Sequence, residues 1–146
     1  KQEIHMINEA LNLTGHLVIS INDEVVQDIP NLVVTAGKGY VASRMKDATT
    51  TAMSHMAIGT GSTAAAAGDT ALGSESARVA MAGTAVSGAV VTYTATFPAG
   101  TGTAAITEAI LVNAASSGTI LARTVFPVIN KSSADSCSIS WAVTVS

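Results

Sequence analysis

The chain has 146 residues, the size of one ordinary domain, with 48% apolar, 12% charged and 3% aromatic residues and a formal net charge of −3. Low charge with a positive mean hydropathy argues against disorder, which needs the opposite balance. Seven Lys and Arg, scattered without a run or interleaved aromatics, argue against nucleic-acid binding through phosphate neutralisation.

No apolar run approaches the roughly 20 residues of a membrane-spanning helix. The first residues lack the apolar stretch of a signal peptide. The single cysteine, Cys137, cannot form an internal disulfide and suits a reducing compartment.

Residues 1–13 read as a short helix or an arm, with Ile4, Ile7 and Leu11 at helical spacing. Residues 14–146 read as a single β domain. His16–Asn22 alternates, with Leu17, Ile19 and Ile21 on one face. Asn22-Asp23 is hairpin-turn chemistry, and Glu24–Ile29 returns as the partner strand. Pro30 is expected to end that strand, and Asn31–Thr35 to form another.

Ala36–Lys46 is the helix candidate. Tyr40, Val41 and Met45 share its stripe, Arg44 and Lys46 suit its last turn, and Gly37 and Gly39 weaken its start. Met53–Ile58 reads as a strand and Gly59–Ser76 as a long loop of small residues. Ala77–Ser87 and Ala89–Phe97 flank the turn signal Ser87-Gly88, and in the second of them Val91, Tyr93, Ala95 and Phe97 oppose Thr92, Thr94 and Thr96.

Pro98–Thr103 reads as a Gly-rich turn, and Ala105–Asn113 and Thr119–Val128 as strands joined by Ala114–Gly118. Cys137–Ser146 alternates over ten residues, with Ile139, Trp141 and Val143 on the apolar side. About eight short strands at regular spacing predict an all-β fold, an antiparallel β-sandwich or jelly roll with one short helix inserted.

One stretch invites a chemical reading. Gly59-Thr60-Gly61-Ser62-Thr63-Ala64 satisfies G-x-G-x-x-A, a spelling of the dinucleotide fingerprint. That motif works only when the loop opens a helix inside a β-α-β unit. Here Gly68, Asp69 and Gly73 follow too soon for such a helix, so no nucleotide cofactor is expected. His5, His16 and His55 form no metal-ligand spacing, so no metal is expected either. His55 reads as structural or solvent-facing.

No G-x-S-x-G elbow occurs, and Cys137, in line with Ile139 and Trp141, reads as a small buried apolar residue. No catalytic residue is assigned. Asp69 and Glu75 read as turn and cap residues. Trp141 and Phe126 read as core anchors, and Arg78 and Arg123 either as candidate interface residues, because Arg is enriched at interfaces, or as solvated edge positions.

Four stretches carry a family resemblance: Asn31–Lys38 (NLVVTAGK), His55–Arg78 (HMAIGTGSTAAAAGDTALGSESAR), Phe97–Asn113 (FPAGTGTAAITEAILVN) and Gly118–Lys131 (GTILARTVFPVINK), with the closing SISWAVTVS continuing it. In these the chain resembles small virion proteins of tailed bacteriophages: capsid decoration (cement) proteins or, alternatively, tail-fibre or tail-tip modules.

The resemblance implies a non-enzymatic protein on the outer capsid surface, made in the host cytoplasm. Its implied partners are the major capsid protein and further copies of itself, as a dimer or trimer. It also turns the glycine loop into a candidate contact surface, with Gly59, Gly61, Ala65 and Asp69 joining Arg78 and Arg123. A hydrolase acting on surface glycans is a third class, and it would need a carboxylate pair that the sequence does not supply.

Overall fold

A computed structural model describes residues 10–47 and 49–146. Nine strands and one helix follow the order β1 (Leu13–Ile21), β2 (Glu24–Val33), α1 (Thr35–Lys46), β3 (His55–Gly59), β4 (Glu75–Ala80), β5 (Gly83–Ser87), β6 (Val90–Phe97), β7 (Ala104–Val112), β8 (Ile120–Lys131) and β9 (Cys137–Val145). The protein is thus mainly β. The arm or helix expected over residues 1–13 lies, for its first nine residues, outside the described residues, and Leu13 already belongs to β1.

The strands form one antiparallel sheet in the order β4-β3-β7-β8-β2-β1-β9-β6-β5. The sheet curls so that its edge strands β4 and β5 are consecutive in the chain, separated only by Met81 and Ala82. Those two residues bond to Ser54 and Thr94, one on each flank of the curl.

The alternating strands do what their period predicts. Leu17 and Ile19 of β1, Tyr93, Ala95 and Phe97 of β6, and Cys137, Ile139, Trp141 and Val143 of β9 are buried in one core with Met56, Ile58, Ile106, Leu111 and Phe126. Trp141 is fully buried and donates its indole N–H to Asn31 Oδ1 at 2.7 Å.

Several boundaries differ from the sequence reading for identifiable reasons. Pro30 does not end β2. It pairs with His16 in the β1 ladder, and β2 bonds to β8 only at Leu32 and Val33, so no sheet partner needs the N–H that proline lacks. The expected strand Ala77–Ser87 divides into β4 and β5 where the chain crosses from one edge of the curl to the other. Asn22 and Asp23 do make the hairpin turn, both at positive φ (50° and 67°).

β7 and β8 are buried on both faces along much of their length. One face belongs to the main core. The other carries a second apolar cluster of Val34, Ala57, Ile110, Val112 and Ile120, packed by Ala36 of α1 and by Leu72. The helix reaches the sheet because Gly37 has no side chain: a Cβ there would lie 2.1 Å from the Leu121 carbonyl oxygen.

Candidate functional site: a buried carboxylate beneath the glycine loop

On that outer face, Glu108 of β7 stands opposite Gly59 of β3, and Arg123 of β8 stands opposite Ile110 of β7. Both charged side chains lie in apolar strands, and both are buried, at 0% and 2% exposure. What covers them is the chain between β3 and β4.

The glycine-bearing loop builds an anion cradle, one N–H of it from the motif itself, and the anion is internal. Glu108 Oε2 accepts the backbone N–H groups of Gly61 at 2.6 Å and Ser74 at 2.8 Å. Oε1 accepts Gly73 N–H at 2.7 Å and the Arg123 guanidinium at 3.0 and 3.3 Å. Close approach demands glycine here: a Cβ on Gly61 would meet Glu108 Oε2 at 2.4 Å, and one on Gly59 would meet the Ser74 carbonyl oxygen at 2.3 Å.

Arg123 extends the clasp outward, donating to Asp69 Oδ2 at 2.8 Å and to the Thr63 carbonyl at 3.0 Å. Asp69 also closes its own turn by accepting Ala66 N–H at 2.8 Å. Thr107 Oγ donates to the Gly61 carbonyl, and Thr35 N–H at the start of α1 donates to the Ala67 carbonyl.

The electrostatics follow from this count of donors. Burial alone raises the Glu108 carboxyl, but the N–H groups of Gly73, Ser74 and Gly61 and the Arg123 guanidinium outweigh it and hold the group below the usual carboxylate range. For Asp69 the Ala66 N–H is the largest influence, partly opposed by burial and aided by Arg123, and its carboxyl is lowered too. Glu108 accepts five hydrogen bonds, more than the roughly four lone-pair sites of a carboxylate, so none is left for a substrate or a metal ion. Its chemistry in this arrangement is to fasten a loop to a sheet.

Of the residues singled out in sequence, Gly59, Gly61, Asp69 and Arg123 come together in this clasp, and Ala65 lines a neighbouring cleft with Pro30, Leu32 and Arg123. Arg78 stands apart. It pairs with Glu75 at 2.7 Å and donates to the carbonyls of Ala114 and Ser117, tying β4 to the β7–β8 turn. Gly59 and Arg123 are buried by their own chain, so within this protein their contacts are internal.

The sequence reading passed over Glu108. Its signal was a lone acid in the apolar run AITEAILV, matched by a lone base in ILARTVF. Two opposite charges in strands that otherwise bury themselves need each other.

Elsewhere, among the described residues, no three His, Cys, Asp or Glu side chains gather as a metal-ligand set. Cys137 lies in the core, where burial pushes its thiol up to about 11. His55 is half-buried with Nδ1 on Ser54 Oγ at 2.8 Å. Comparison with protein-family models, with curated proteins and with solved structures finds no match to this chain.

Proposed function

We propose that the protein is a structural component of a tailed-bacteriophage virion, a homo-oligomer that binds the outer capsid surface and cements neighbouring major capsid proteins. In this reading the curled sheet is a β-sandwich of jelly-roll type. The observation that carries the proposal is where the resembling stretches lie. His55–Arg78, Phe97–Asn113 and Gly118–Lys131 are far apart in the chain, yet they supply Gly61, Gly73, Ser74, Glu108 and Arg123 to one clasp. These residues of the resembling stretches fasten the loop between Gly59 and Glu75 to the sheet, which suits that loop to act as a contact surface.

Cementing works by mass action. A protein that binds only the assembled shell stabilises it by RT ln(1 + [L]/Kd), about 2.7 kcal/mol per site at a hundredfold excess over Kd, and repeated sites compound the effect. Purified particles are expected to carry the protein at copy numbers matching capsid symmetry, and particles lacking it to open at lower temperature. The band ratio to the major capsid protein on a stained gel, read beside a heat-release assay, is the test. A few copies per particle would favour the tail-module reading, and absence from particles would overturn both.

A further inference from the structure

Among the described residues, most carboxylates and cations have a polar partner within the chain. Asp28 faces His16, Asp47 faces Lys46, Glu75 faces Arg78, and Asp69 and Glu108 share Arg123. Asp135 accepts from Asn22 and Ser132, and buried Lys131 donates to two carbonyls. Among the described residues, Asp23 and Glu24 have no cationic partner, and Lys38 and Arg44 have no carboxylate partner.

The two remainders sit beside exposed apolar surface. Asp23 and Glu24 form the tip of the β1–β2 hairpin and run directly into Val25 and Val26, which are 57% and 41% exposed. Lys38 and Arg44 lie on α1. Beside that helix runs a cleft of about 300 Å³ walled by Leu13, Tyr40, Val41, Met45 and Tyr93, with Arg44 on its rim. Met45, on the same helical stripe as Tyr40 and Val41, is 76% exposed. Arg44 spends Nη1 on the Thr50 carbonyl at 3.0 Å, which leaves the rest of its fork for a carboxylate.

These surfaces cannot meet within one molecule. The cleft lies at the Leu13–Val145 end of the β1–β9 ladder and the hairpin tip beyond the Ile21–Cys137 end. Eight residue steps at roughly 3.3 Å each put the two about 26 Å apart.

We propose that the acidic, valine-bearing tip of the β1–β2 hairpin docks on the cationic apolar cleft beside α1 of a second copy of this chain. Charge complementarity sets the register, and the exposed valines supply side chains that the cleft has room to bury. The inference rests on the self-association in the reading above and uses nothing about the capsid, so the two fail separately: particle copy number tests one and solution mass the other.

Sedimentation of the full chain at its highest soluble concentration is the experiment, with melting curves to show that each variant is folded. Wild type is expected to associate, and less so at high salt. Glu24→Lys together with Asp23→Asn, which suits the positive φ of that turn, should raise the dissociation constant about tenfold or more, as should Lys38→Glu with Arg44→Glu. Mixing the two variants sets opposite charges face to face again and should recover a complex that neither forms alone. A monomeric wild type, variants that associate like wild type, or a mixture that stays monomeric would each overturn the contact.

Discussion

Glu108 keeps its charge in a fully buried position because five donors converge on it, three of them backbone N–H groups of the loop above. The isosteric change Glu108→Gln exposes how much depends on that. Each carboxylate oxygen accepts backbone N–H groups, so whichever position the amide NH2 takes, it faces a donor and leaves it unpaired. Arg123 meanwhile retains only Asp69 as a charged partner. Breaking a buried pair in this way costs about 3–5 kcal/mol, which at this chain length lowers the thermal midpoint by roughly 10 °C or more. Asp69→Asn should cost about 1 kcal/mol or less, since that carboxylate is partly exposed and solvent screens it. Equal midpoints for wild type and Glu108→Gln in a scanning calorimeter would mean that the clasp is dispensable.

At the scale of elements, the helix separates two glycines that look alike in sequence. Both weaken a helix, yet a Cβ on Gly37 would strike the Leu121 carbonyl at 2.1 Å, whereas one on Gly39 meets nothing within 4 Å. Gly39→Ala is expected to stabilise by about 0.5–1 kcal/mol through the unfolded chain, and Gly37→Ala to destabilise by about 1–3 kcal/mol through overpacking. Urea denaturation midpoints for the two variants should therefore move in opposite directions. A helix at these residues was legible from Tyr40, Val41 and the basic last turn, but its docking was not, because close backbone approach leaves no mark on hydrophobic period. The loop after β3 shows the same limit. Its glycines spelled an anion-binding motif, and the anion proved to be a side chain more than thirty residues downstream of every loop amide it holds.

For the whole molecule, strand existence was readable and strand neighbourhood was not. Period two marked β1, β6 and β9, yet nothing local places β9 between β1 and β6, or β7 between β3 and β8, since those pairings are chosen by the shared core. The charges that this packing buries give the fold a pH dependence of definite sign. The carboxyls of Glu108 and Asp69 are held below their ordinary values in the folded protein, so at mildly acidic pH the unfolded chain binds more protons than the folded one. Stability from these groups is fully present above the ordinary carboxylate range, and is lost as pH falls through the lowered folded values. The melting temperature should hold steady from neutral pH to about pH 5 and fall below about pH 4. Glu108→Gln has no such proton to take up, so its deficit against wild type should shrink as the acid limb is entered and both proteins present an uncharged group to Arg123. Melting curves of the two proteins between neutral and acid pH test this. A deficit constant with pH would assign the stabilisation to the shape of the cradle rather than to the charge within it.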